Sequence, residues 1–362
     1  SFRFPDIEKK GFSLWSESSL ALRDDTQLTA GLRYDYQHSE AGKADLTPGT
    51  APPFQVSAAG LYQAYYGTTD LEVEDHDISG RLRLEHQLAE PGLTLYGDLA
   101  RLVRTPNNIE RWHAVSGPNP NRWIGNPQLD AENHHKATLG FDWQGCQYVN
   151  YGRKRPGGNY LDSEAWKLSG SVYYDNVKDF ITLDRARGQE GVLLSDGATI
   201  SRNVDATLSG AALDFQWVLS RSIATRLSAA YTRGENDTDN RPLYQIAPWE
   251  VNWLLDYRSD LSTIGTWNIG SRVRHVGAQD RVDDDSTTGL GLDTGGESDE
   301  FTILDLYGGI QLHNRIGINI GVDNVTDKAY QEHILGTHVA GITKTSVTAP
   351  GRTWYMTLVA NF

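Results

Sequence analysis

Between Leu28 and Tyr36 the chain alternates without a break: Leu28, Ala30, Leu32, Tyr34 and Tyr36 are separated by Thr29, Gly31, Arg33 and Asp35. Ile316, Ile318, Ile320 and Val322 alternate in the same way with Gly317, Asn319, Gly321 and Asp323. Leu304, Leu306, Ile310 and Leu312 do so with Asp305, Tyr307, Gly309 and Gln311. The closing stretch sets Trp354, Met356, Leu358, Ala360 and Phe362 against Thr353, Tyr355, Thr357, Val359 and Asn361. A period of two marks a strand whose two faces meet different surroundings. It predicts thirteen strands, at 11–23, 27–38, 74–88, 93–104, 134–145, 165–185, 199–219, 223–234, 249–258, 265–277, 300–312, 315–324 and 351–362. An arginine turned to lipid costs about 2–4 kcal/mol at the bilayer midplane, so Arg33 and its like belong to a wet lumen. An apolar face running to a terminal aromatic suits an outer wall against hydrocarbon. The expected fold class is all-β, a transmembrane antiparallel β-barrel.

The connections carry the same message. Short links at Asp24–Thr26, Ala89–Gly92, Ser220–Ser222, Ser259–Ile264 and His313–Asn314 alternate with long polar ones at 39–73, 105–133, 186–198, 235–248, 278–299 and 325–350. Short periplasmic turns and long outer loops are the barrel rhythm. Only 146–164 is too long for its side. A β-sandwich would space its turn signals every 8–12 residues or so, with no such long-short rhythm. The rhythm sends odd-numbered strands down to the periplasm, which predicts an odd number of further strands ahead of Ser1.

Composition narrows the class further. Mean hydropathy is −0.50, and no run of about 18 apolar residues exists to make a transmembrane helix. Half-polar barrel strands escape such averages. Ten Trp and 17 Tyr suit aromatic girdles at two interfaces. The net charge of −14 argues against nucleic acid, whose phosphates need a basic surface. A single cysteine, Cys146, rules out an internal disulfide framework. Neither a G-x-S-x-G nucleophile elbow nor a P-loop or dinucleotide fingerprint occurs, so an enzyme is not expected. Ser1–Asp6 has no leader-like character, and no plug-like stretch follows.

Several stretches resemble one known family. Leu28–Asp35 is similar to its mid-barrel strands, and Val103-Arg104-Thr105-Pro106-Asn107 with Gly125-Asn126-Pro127-Gln128-Leu129-Asp130-Ala131-Glu132 is similar to its R-x-P and G-N-P-x-L-x-P-E block. Asp323–Tyr330 resembles its N-L-F-D-K-x-Y element, and Pro350-Gly351-Arg352-Thr353 its last-strand opening. The family is the TonB-dependent outer-membrane receptors, active transporters with a plug inside a barrel of 22 strands. Asn126–His135, Arg202–Leu208 and Tyr330–His333 look most like the copper receptors among them. The resemblance implies that residues 1–362 are the C-terminal barrel portion of a copper receptor in the bacterial outer membrane. The plug, the segment that contacts TonB and nine strands would lie elsewhere. Expected partners are the TonB complex, outer-membrane lipid and lipopolysaccharide, and a metal or metal chelate. A ferric siderophore or other nutrient chelate is the alternative cargo, and a plugless barrel subunit of a larger assembly the alternative role.

No resident cofactor is implied; copper enters only as cargo. Cu(I) prefers sulfur and Cu(II) imidazole. Met356 falls on the lipid face and Cys146 in a periplasmic turn, which leaves histidines. His333 and His338 share the last outer loop, and His113 lies in a large one, so these three are the candidate metal ligands, set against the plainer reading of polar loop histidines. His134 and His135 must point to opposite faces. The acidic runs Asp280–Asp285, with Asp293, Glu297, Asp299 and Glu300, and Asn236–Asn240 read as solvated loops rather than Ca²⁺ sites. Tyr62, Tyr65, Tyr66, Trp112 and Trp123 read as outer-loop aromatics that grip a ligand or sit at the lipid interface.

Overall fold

A computed structural model describes residues 4–47, 49–50, 55–89, 92–115, 122–147, 164–243, 245–283, 297–313, 315–333 and 348–360. Thirteen long strands form the wall. They are β1 (Ile7–Arg23), β2 (Thr26–Ala41), β3 (Glu72–Gln87), β4 (Leu93–Arg104), β7 (Glu132–Gln147), β8 (Glu164–Arg185), β9 (Thr199–Val218), β10 (Ile223–Asn236), β12 (Glu250–Leu261), β13 (Gly265–Val276), β14 (Phe301–Leu312), β15 (Ile316–Asp323) and β16 (Thr353–Ala360). Each pairs antiparallel with the next in this order, as a barrel wall requires. Every predicted strand overlaps one of these, with ends displaced by no more than four residues. Three two-residue strands, β5 (Ala114–Val115), β6 (Trp123–Ile124) and β11 (Arg241–Pro242), and two helices, α1 (Ala58–Tyr66) and α2 (Asn108–Trp112), were not foreseen.

Register turns the alternation into surfaces. Leu95 pairs with Phe141, Phe141 with Gly170, Gly170 with Leu213 and Leu213 with Ala229, one apolar row running across five strands. A second runs from Ile269 through Gly308 and Ile320 to Met356. Leu99, Leu139, Ile269, Ile320, Met356 and Leu358 are all exposed on that outward face. Met356 is thus where the sequence put it, on the outside. The inward face carries ion pairs instead: Arg81 with Asp98, Arg226 with Asp214, and Arg272 with Asp305. Leu139→Arg, at the middle of β7, is expected to destabilise the folded protein by about 2–4 kcal/mol in lipid. Thr138→Arg, on the wet face one residue away, is expected to cost much less. Equilibrium urea titrations in bilayers compare the two, and equal costs would mean the faces are misassigned.

The short end is made of tight turns. Gly92 sits at φ 77°, and a Cβ there would fall 2.0 Å from the Gln144 carbonyl oxygen, so only glycine fits. His313 and Ser262 occupy left-handed positions in two other turns, at φ 46° and 52°. The 148–163 connection lies outside the described residues, as does Phe362.

Candidate functional site

At the long-loop end, three connections interlock into a packed cap. Ser57 starts α1 by accepting the Gly60 amide at 3.0 Å, and Gly67 ends it at φ 73°. Nine residues are too few to hold a helix in water on their own; what holds α1 is burial of Leu61, Tyr62, Tyr65 and Tyr66. The second helix, α2, opens with a capping box: Asn107 Oδ1 accepts the Glu110 amide, and Glu110 returns a carboxylate to the Asn107 amide. Tyr62 donates to the Trp112 carbonyl at 2.7 Å and Tyr66 to that of Ile124 at 3.1 Å. The indole of Trp112 donates to Ser39 Oγ at 2.6 Å, and Tyr65 donates to Asp196 at 2.6 Å. These aromatics therefore neither grip a ligand nor meet lipid. Tyr62, Tyr65, Tyr66 and Trp112 form the buried core of the cap.

Two charged anchors tie the cap to the wall. The guanidinium of Arg111, 1% exposed, donates to both Asp75 oxygens at 2.7 and 3.0 Å and to the Leu129 carbonyl at 2.9 Å. Arg104 holds Glu110 and Glu132, and Glu132 also accepts the Ile181 amide at 2.8 Å just beyond a bulge at Asp179. The R-x-P and G-N-P motifs meet here. Gly125 donates to the His113 carbonyl at 2.6 Å, and a Cβ on it would lie 2.8 Å from backbone atoms of Arg111 and His113.

Burial raises the pKa of Tyr62, Tyr65 and Tyr66 above that of a free phenol, with the Asp196 carboxylate adding to the effect at Tyr65. A phenol whose pKa rises on folding stabilises the fold fully below about pH 10 and loses that contribution as the pH climbs beyond it. Phenolate absorbance is therefore expected to develop in two phases, the buried tyrosines titrating last, as the cap opens. A single phase near the free-phenol value would show the cap to be open already.

The histidines distribute unevenly. His113 is buried, its ring 4.4 Å from that of Trp123 and 5.3 Å from that of Phe4, with Nδ1 3.2 Å from the Trp123 carbonyl. His333 is also buried, with Nδ1 3.1 Å from Ser298 Oγ. Burial lowers its pKa and keeps the ring neutral. It lines a cavity of about 300 Å³ together with Phe301, Tyr330, Glu332 and Lys328. His113 packs against Trp123 and Phe4 and His333 against Ser298, and His338 lies outside the described residues. Among the described residues, no group of three or more His, Cys, Asp and Glu is placed to hold a metal ion. His134 and His135 do face opposite ways. His134 bridges Glu132 and Asp175 at 3.1 and 2.9 Å, while His135 pairs with Arg101 on the outward side.

The acidic runs are not simply solvated. Asp283 is buried, and Asp239, itself exposed, reaches the same cluster: Arg202 pairs with Asp184 and Asp239, and Arg241 with Asp184, Asp239 and Asp283. Asn236 is buried as well, and its side chain donates to Asp239 at 2.7 Å. Asp284, Asp285 and Asp293 lie outside the described residues.

Residues 1–325 match the family described as TonB dependent receptor-like, beta-barrel. The chain belongs to this family. No curated protein sequence matches it at a significant level. Among solved structures it is similar to the copper transporter OprC, at 25% identity and a TM-score of 0.72 over 99% of this chain and 48% of that one. The ferric yersiniabactin uptake receptor FyuA from Yersinia pestis follows the same fold at 15% identity and a TM-score of 0.65, over 98% of this chain and 46% of that one. So does the ferric enterobactin receptor PfeA from Pseudomonas aeruginosa, at 17% and 0.60, over 98% of this chain and 54% of that one. The chain spans about half the length of these relatives. The family and these neighbours are receptors and transporters, not enzymes.

Proposed function

We propose that this chain is the barrel portion of a TonB-dependent outer-membrane transporter whose cargo is copper or a copper-bearing compound. One observation carries the choice of cargo: identity to a copper transporter is 25% along nearly the whole chain, against 15% and 17% for the two iron receptors. The imidazole of His333 at a cavity in the mouth fits the same cargo, since Cu(II) favours nitrogen and oxygen donors. As the family implies, TonB drives release through a plug, lipid and lipopolysaccharide surround the wall, and the capped mouth screens ligands. A ferric chelate is the second reading, favoured by the scarcity of sulfur: one Cys and one Met. Binding of Cu(II), Cu(I) and ferric enterobactin to the purified full-length receptor separates the two. Copper binding in preference to the ferric chelate is expected; ferric enterobactin bound with no measurable copper affinity would overturn the assignment.

A further inference from the structure

The outward face of the wall is not evenly filled. In register, Leu139 of β7 pairs with Val172 of β8, Val172 with Ala211 of β9, and Ala211 with Tyr231 of β10. One outward row nearer the short turns, Phe141 pairs with Gly170, Gly170 with Leu213 and Leu213 with Ala229. A Cβ on Gly170 would fall 2.7 Å from the Phe141 ring, so that ring already covers the glycine. Ala211 and Ala229 instead line an open groove of about 590 Å³, walled by Leu139, Val172, Leu213 and Trp249. Hydrocarbon is what an outward barrel wall meets. A hollow in that wall forfeits dispersion contacts unless a chain settles into it.

The next outward row toward the long loops, about 7 Å along the strands at 3.4 Å per residue, changes character. It reads Tyr174, Ser209 and Arg233, paired in register. Tyr174 and Tyr231 are exposed, and among the described residues neither hydroxyl has a hydrogen-bond partner. Arg233 pairs with Glu235 at 2.7 Å, and Arg281 reaches the same carboxylate at 2.5 Å. The Arg233 side chain is 50% exposed, so its guanidinium keeps donors to spare. Lys178 pairs with Asp205 at 2.5 Å close by, and Asp237 accepts the Thr207 hydroxyl at 2.7 Å. Lys178, Arg233 and Arg281 thus balance Asp205, Glu235 and Asp237, and the patch above the groove carries both signs in equal number.

The matching ligand has an apolar chain and, at one end, a head that accepts hydrogen bonds and carries both charges. We propose that the groove over Ala211 and Ala229 holds one acyl chain of a zwitterionic phospholipid bearing a phosphate and an ammonium. The phosphate takes donors from Tyr174, Tyr231 and Arg233, and the ammonium faces Glu235. A head with phosphate alone would leave the carboxylates unanswered. The site lies outside the wall, so it holds whatever the cargo is.

The test strips the full receptor of lipid in detergent and loads it in turn with phosphatidylethanolamine, phosphatidylglycerol and lipid A. Native mass spectrometry then counts the lipid each chain retains through washing. Wild type is expected to keep one phosphatidylethanolamine, held at least about tenfold better than either other lipid. Ala211→Leu and Ala229→Leu fill the groove from two different strands with a side chain that suits hydrocarbon, and each should cut retention about tenfold. Arg233→Gln removes the charged donor, leaves the groove open and should also cut retention about tenfold. Heat-modifiable gel mobility reports folding of each variant, and Arg233→Gln covers the case of a groove variant that fails to fold. Unchanged retention in the folded variants overturns the site. Phosphatidylglycerol or lipid A held as tightly as phosphatidylethanolamine overturns the choice of head group. Loss of a receptor dimer rather than of lipid in Ala211→Leu would make a second copy the occupant and overturn the lipid.

Discussion

Arg111→Ala is expected to open the cap while leaving the barrel wall standing. The substitution strands Asp75 and the Leu129 carbonyl, both of which Arg111 holds. Removing one partner of a buried pair typically costs about 3–5 kcal/mol, because the remaining charge has lost its compensation. With 1.4 kcal/mol per tenfold change, the open population rises roughly a hundredfold to several thousandfold. Hydrogen exchange in α1, α2 and the 122–131 segment should accelerate accordingly, while exchange in β7 and β8 stays slow. A second variant, Arg111→Met with Asp75→Leu, replaces both charges with apolar groups and should recover most of the loss, since such swaps are often neutral. If the double variant is as open as the single one, the pair is not what holds the cap.

Asp184→Ala is expected to have an effect of similar size, at a carboxylate whose residue pairs in register with Ile200 of the cap core. The carboxylate of Asp184 is fully buried, and its Oδ2 accepts Arg202 at 2.8 Å and Arg241 at 2.7 Å, while Oδ1 accepts the Arg185 amide at 2.8 Å. Without it two guanidiniums, side chains 9% and 11% exposed, share Asp239 and Asp283. The remaining acids soften the loss, so about 3 kcal/mol, the lower end for a broken buried pair, is expected. The loss should appear as faster proteolysis of 237–243 and a lower melting temperature in detergent. Asp184→Asn keeps the shape and removes the charge. If it behaves like wild type, hydrogen bonding rather than charge holds this cluster.

The wall was legible because each strand states its surroundings locally. Leu28, Leu32 and Tyr34 alternate with Thr29, Arg33 and Asp35, and a slip of one residue would bury the wrong set. The cap was not, because its residues meet partners from distant parts of the chain: Trp112 with Ser39, and Tyr65 with Asp196. Its aromatics look from sequence like any outer-loop aromatics. The helices did leave a local trace. Ser57 and Gly67 bracket α1, and Asn107-x-x-Glu110 is a capping box in plain view. Asp239 and Asp283 misled for a related reason. An acidic run reads as solvated until the arginines that fold over it, Arg202 and Arg241, are known. Of the histidines, the opposite orientation of His134 and His135 followed from alternation alone, whereas the burial of His113 against Trp123 and of His333 against Ser298 depends on which loops pack together.

Main-chain atoms do much of the joining inside the cap: Tyr62 to the Trp112 carbonyl, Tyr66 to that of Ile124, Gly125 to that of His113. A carbonyl is the same whichever residue bears it. The outward side chains of these loops can therefore change without altering the shape beneath. Variation among related chains is expected to fall on the outer skin of the cap and to spare Tyr62, Tyr66 and Gly125.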